Sequence, residues 1–181
     1  LFCALFARQA GASEIVVVDP SPFRQDIARR MGFTALAEDD AVRHAKTWHH
    51  KVGGRGAEYV FQTRARSDSL HRCLQALRPQ GTVIDLAFYQ GGMDGARLGE
   101  EFHHNGLAIR CAQINRMPRQ VAHAWDQRRL AQETIRLLQA EGEAIRQHMI
   151  THVVPYGEAP DFLRRLVAER PEFLQVVFDA S

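Results

Sequence analysis

The segment Ile15-Val16-Val17-Val18 constrains this chain more than any other. A run of β-branched residues without polar alternation is what a parallel strand covered on both faces requires. Parallel strands cannot be joined by a tight turn, so helices must cross between them. The flanks agree. Leu1 to Ala10 reads as a buried helix stopped at Gly11, a C-cap residue. After Asp19 and Pro20, Ser21 is placed to cap a second helix with Pro22 at its first position. Phe23, Ile27, Ala28 and Met31 line the inner face of that helix, and Gly32 ends it.

The alternation continues. Phe33 to Leu36 reads as a short strand, Asp39 to His50 as a polar helix, and Gly53-Gly54-Arg55-Gly56 as a turn. Glu58 to Gln62 is a strand; Leu70, Cys73, Leu74 and Leu77 stripe the next helix, which Pro79 and Gly81 stop. Thr82 to Phe88 and Leu107 to Ile114 are the remaining strands. The pattern predicts an α/β, doubly wound parallel sheet with right-handed crossovers. After Asn115 the rhythm changes: an arginine-rich helix from about Arg119 to Ala140, a strand Ile150 to Val154 broken by Pro155, a short helix around Phe162, and a closing strand Leu174 to Phe178. This tail is expected to leave the βαβ pattern and to belong to another structural unit.

Composition narrows the function classes. The chain has 181 residues, enough for one domain and part of a second. A net charge of +2 supplies no field strong enough to draw in nucleic acid or an acidic membrane. Cys3, Cys73 and Cys111 are odd in number and form no C-x-x-C pair, which points to reduced thiols and a cytoplasmic setting. No apolar run is long enough to span a bilayer, and Leu1 to Ala7 lacks the basic region and cleavage site of a signal peptide. The adjacent pairs His49-His50 and His103-His104 point to opposite faces if extended, and no Cys/His set has structural-zinc spacing. No metal site is expected within this chain.

Asp19 carries the chemistry. A carboxylate at the end of the second strand of a dinucleotide-binding unit accepts hydrogen bonds from both hydroxyls of an adenosine ribose. It would repel the 2′-phosphate of NADP and so favours NAD. Asp85 stands inside a strand, where a carboxylate needs a partner or a strand end.

Four stretches together resemble the C-terminal half of the zinc-containing medium-chain alcohol/polyol dehydrogenases. They are Ala10-Gly11-Ala12 with Ile15 to Asp19; Gly56-Ala57-Glu58-Tyr59-Val60-Phe61-Gln62; Leu77-Arg78-Pro79-Gln80-Gly81-Thr82-Val83; and Ile150-Thr151-His152-Val153-Val154-Pro155-Tyr156. The resemblance implies an incomplete Rossmann-type sheet whose first strand and glycine loop would precede Leu1. Residues 1–115 would be a partial NAD-binding domain. Residues 116–181 would belong to the GroES-like catalytic domain, with the zinc ligands and proton relay mainly upstream. Missing a central strand, the chain alone would expose strand edges, dissolve poorly and be inactive.

The resemblance further implies NAD as cofactor, zinc in the parent enzyme but no ligand here, an alcohol or polyol substrate and a homo-oligomer. It places no catalytic residue in this chain. Cofactor contacts would come from Asp19, Arg24, Thr63, Arg66, Ala87 and Phe88. Arg24 would lie near the same ribose, Arg66 would stack on adenine, and backbone groups around Ala87 and Phe88 would hold the nicotinamide carboxamide. Gln62 and Ala65 replace the family's usual acid and glycine, and Gln175 stands roughly where a phosphate-binding arginine is usual. Competing readings are a zinc-independent enone or quinone reductase and a non-catalytic nucleotide-binding or oligomerisation module.

Overall fold

The structure, a computed structural model, describes residues 1–114 and 116–181; the expected boundary residue Asn115 lies outside the described residues. The chain folds as two compact units, one of residues 1–37 and 127–181 and one of residues 38–126.

The first unit begins with helix α1 (Phe2–Gln9), strand β1 (Val16–Val18), helix α2 (Pro22–Arg30) and strand β2 (Thr34–Leu36). β1 and β2 pair in parallel, Val16 opposite Thr34 through Val18 opposite Leu36. The cap on α2 forms as its residue types require: Ser21 is extended and its Oγ accepts the Arg24 N–H at 3.4 Å. The other end closes on Gly32 at φ +82°. Gly32 N–H donates to the Arg29 carbonyl and Phe33 N–H to the Ala28 carbonyl, a Schellman pattern. It turns Phe33 inward beside Met31.

The later segments complete the same unit with helix α5 (Gln127–Ala144), a wider helical turn Ile145–Met149, strand β6 (Ile150–Pro155), helix α6 (Ala159–Glu169) and strand β7 (Gln175–Asp179). Leu137, Ile145 and Met149 pack with Leu5, Ile27, Met31 and Phe33 in one core. Arg8 fastens this core at its edge. Its guanidinium donates to the Met31 carbonyl at 3.0 Å and to Glu141 at 2.8 Å, and lies 4.6 Å from the Phe33 ring centre. β6 and β7 pair in parallel across α6, so the tail does continue the βαβ rhythm, against expectation. Pro155 does not break the strand, because it is the last residue of β6, opposite Asp179.

The second unit holds helix α3 (Glu38–Ala45), strand β3 (Ala57–Gln62), helix α4 (Ser67–Ala76), strand β4 (Leu77–Asp85), a helical turn Leu98–Phe102 and strand β5 (Ala108–Cys111). The strands form a parallel sheet in the order β3-β4-β5. Its core is Ala57, Leu70, Leu74, Leu77, Val83 and Leu107.

Five boundaries differ from the sequence pattern. α3 ends at Ala45 rather than His50, because Trp48 turns toward the core and its carbonyl accepts Gly56 N–H at 3.1 Å. α4 stops before Pro79, since Leu77 is already extended and pairs with Ala57. β4 ends at Asp85 and β5 at Cys111, short of Phe88 and Ile114. α5 begins at Gln127 rather than near Arg119; Pro118 to Trp125 instead makes short turns, with Val121 and Ala122 N–H both bonded to the Pro118 carbonyl.

The approach of Leu77 to Ala57 depends on Gly56. Its φ is +125°, and a Cβ there would lie 2.6 Å from Arg78 N and Leu77 C and 2.7 Å from Ala76 O. Gly56→Ala is expected to cost about 2–3 kcal/mol or more, since both φ and space are refused. Urea unfolding checks this; a change below about 0.5 kcal/mol, the size of an ordinary surface effect, would mean that the backbone shifts there without strain.

Candidate functional site

In the first unit, β1 delivers Asp19 to its carboxyl end. The main chain there stays in the ladder, Asp19 N–H donating to the Leu36 carbonyl at 3.1 Å. The following helix start grips the side chain. Ser21 N–H donates to Asp19 Oδ1 at 2.9 Å. Arg24 Nε lies 2.9 Å from both carboxylate oxygens, and its Nη2 lies 2.8 Å from Oδ1. The structure thus brings the two predicted ribose residues together as a forked ion pair. Hydrogen bonding to Asp19 raises the Arg24 pKa, against the opposing effect of burial. The Asp19 side chain keeps 26% of its surface exposed, which leaves room for a ligand to approach.

Gln25, unremarked in the sequence, supports the same point from beneath. It is buried; its Nε2 donates to the Asp19 carbonyl at 2.8 Å, and Arg29 donates to its Oε1 at 2.9 Å and to the Ala35 carbonyl at 3.1 Å. The signal for it was a polar residue set among the inward-facing Phe23, Ile27 and Ala28.

In the second unit, Thr63 and Arg66 form the loop after β3, and Ala87 and Phe88 lie in the turn after β4. Gln62, only 3% exposed, shapes the loop: its Oε1 accepts Arg64 N–H at 3.3 Å and its Nε2 donates to the Arg66 carbonyl at 3.4 Å. A neutral amide can do both, which the usual acid could not. Arg64 pairs with Glu38. Thr63 is exposed. Arg66 is exposed too, but its guanidinium is folded onto Asp68, with Nε to Oδ1 at 2.9 Å and Nη2 to Oδ2 at 2.6 Å. This pairing holds the Asp68 carboxyl down at about 2.

Ala87 and Phe88 do not end a strand as expected. The ladder runs one bond past Asp85, from Leu86 N–H to the Gln62 carbonyl at 2.9 Å. The Asp85 side chain then takes the next donor. Its Oδ1 accepts Ala87 N–H at 3.0 Å and the Tyr89 hydroxyl at 3.2 Å. Asp85 therefore has the partners that its place in the sequence demanded. Tyr89 is pushed up to about 12, first by burial and then by its bond to Asp85. Gln175 is exposed, and its amide donates to the Val176 carbonyl at 3.1 Å.

Among the described residues, no three His, Cys, Asp or Glu side chains come together as a metal ligand set. No helix among them is long and apolar enough to cross a membrane. The three cysteines are free. Burial, then the charges of Asp85 and Glu38, push the Cys73 thiol up to about 12. At pH 8 Cys73 is therefore a thiol, not the nucleophilic thiolate. Iodoacetamide is expected to modify exposed Cys111 and to leave Cys73 unmodified in the native protein, as read by peptide mass spectrometry. Equal labelling would mean that α4 opens readily.

Residues 1–126 match the family model described as zinc-binding dehydrogenase. Among curated proteins, D-guloside 3-dehydrogenase of Escherichia coli (strain K12) is 30% identical over 166 residues, covering 92% of this chain and 47% of that protein. D-xylulose reductase A of Aspergillus oryzae is 31% identical over 97 residues, 51% of this chain and 26% of that protein. The chain spans about half the length of the first of these relatives. Among solved structures, an alcohol dehydrogenase from Thermotoga maritima superimposes with a TM-score of 0.75 at 18% identity, over 97% of this chain and 45% of that one. At that identity the likeness speaks for the fold, a partial Rossmann-type α/β arrangement.

Proposed function

The chain belongs to the zinc-binding dehydrogenase family, and we propose that it carries the nucleotide-binding part of an oxidoreductase moving hydride between an alcohol or polyol and NAD. Bound there, NAD would supply a hydride acceptor for the oxidation of an alcohol carbon to a carbonyl with loss of the hydroxyl proton. This chain's own residues bind and orient. The observation that carries the reading is Asp19, held at the carboxyl end of β1 by Ser21 N–H and the Arg24 fork. There it can accept the adenosine ribose hydroxyls, with Arg24 beside them. Thr63 and Arg66 border the adenosine, with Arg66 swinging off Asp68 to stack. Ala87 and Phe88 offer main-chain groups to the carboxamide.

The names of the relatives, a guloside dehydrogenase and a xylulose reductase, support a sugar or polyol substrate. The test is a calorimetric titration of the full-length protein with NAD and NADP. NAD is expected to bind at least about tenfold more tightly, the effect of one charge-assisted contact set. Equal affinities, or none, would overturn the reading.

A further inference from the structure

We propose that Asp85 is a positioning residue for the nicotinamide end of the cofactor, an inference that rests on the NAD-binding reading above. A carboxylate inside a parallel strand is costly, and ending a strand does not need one. Here it does two specific things. Through Oδ1 it captures Ala87 N–H at 3.0 Å, which turns the chain out of the sheet directly after β4. Through the same oxygen it holds the Tyr89 hydroxyl at 3.2 Å, which fixes the far side of that turn.

Among the described residues, the Ala87 carbonyl and the Phe88 N–H and carbonyl make no hydrogen bond. One donor and two acceptors are thus held at the carboxyl end of a central strand, the place where open α/β sheets bind ligands. They match the acceptor and the donors of a carboxamide.

The Gln62 side chain also bears on the Tyr89 hydroxyl, lowering its pKa against the rise from burial and Asp85. Gln62 also organises the backbone from Arg64 to Arg66. Gln62 stands opposite Asp85 in the β3–β4 pair, so the residue that shapes the loop after β3 and the one that shapes the turn after β4 are neighbours across the sheet. A residue that merely ended the strand would need only the bond to Ala87.

The test compares NAD with ADP-ribose, which lacks nicotinamide, in calorimetric titrations of the full-length protein and its variants. In the wild type, NAD is expected to bind more tightly than ADP-ribose. Asp85→Ala is expected to reduce that ratio about fivefold or more, one buried hydrogen bond's worth, while the ADP-ribose Kd stays within about twofold. Asp85→Asn, whose Oδ1 can still accept from Ala87, is expected to restore most of the ratio. Tyr89→Phe keeps the shape and the Ala87 bond; it is expected to lower the ratio about twofold to threefold, as loss of a weaker contact would. It also reads out the idea if Asp85→Ala does not fold.

An unchanged ratio in Asp85→Ala or Tyr89→Phe overturns the proposal. So does an equal loss for both ligands, which would make Asp85 a fold residue only. A wild type that binds both ligands equally overturns it too. A wild type that binds neither overturns the NAD-binding reading itself, and this inference with it.

Discussion

Asp19→Ala is expected to lower kcat/KM for NAD by about ten- to a hundredfold in the full-length protein, and to raise it for NADP. A carboxylate accepting two ribose hydroxyls contributes about 1.5–3 kcal/mol through charged hydrogen bonds, and each 1.36 kcal/mol is tenfold in rate. The structure adds why NADP should gain. Arg24 spends its guanidinium on Asp19, with contacts of 2.8 and 2.9 Å. Removing the carboxylate frees that fork at the position a 2′-phosphate would occupy, and Arg is suited to phosphate. The two changes act in opposite directions on the two cofactors, so their ratio is the sensitive readout. Steady-state kinetics with each cofactor checks it. An equal loss for both would remove Asp19 from the site and leave it as the residue that starts α2.

Leu74→Ala is expected to destabilise the protein by about 2–5 kcal/mol, the range for deleting a buried leucine side chain. Leu74 is 0% exposed on α4 and packs with Ala57, Leu70, Leu77, Val83 and Leu107. Its neighbours are held by the β3-β4-β5 ladder, so collapse into the void would have to move a sheet. Against a total stability of about 5–15 kcal/mol, the loss is large enough to populate unfolded chains at 37 °C. Val167→Ala, on the exposed side of α6 at 79% exposure, should change stability by less than about 0.5 kcal/mol. Urea midpoints of both variants decide the matter; a loss below about 1 kcal/mol for Leu74→Ala would show that α4 repacks.

Much of the fold was legible because its signals are local. The valine run, Ser21 and Pro22 at the start of α2 and Gly32 at its end each act within about five residues, by β propensity and by capping chemistry. The Asp19–Arg24 pair lies within the same reach, since Asp19 ends a strand and Arg24 stands in the first turn of the next helix. What failed was termination. Asp39 to His50 carries a helical composition, yet the helix ends at Ala45 because Trp48 finds a place against the second core and Gly56 bonds its carbonyl. Thr82 to Phe88 closes on the apolar Leu86-Ala87-Phe88, yet the strand stops where Asp85 reaches forward to Ala87.

The amino-acid order thus set the element types, the parallel pairing they require and the acidic strand end that reads as a ribose site. Folding settled the rest, because the deciding partners are distant in the chain. Leu5 meets Leu137 in one core, Leu77 leaves its helix to pair with Ala57, and β6 and β7 lie parallel across α6 although Pro155 suggested a break. In the sequence Gln62 and Asp85 stand out only singly, and nothing there links them to each other or to Tyr89. They come together only where β3 and β4 lie side by side, where a buried polar atom must be given a partner or lose its hydration without compensation.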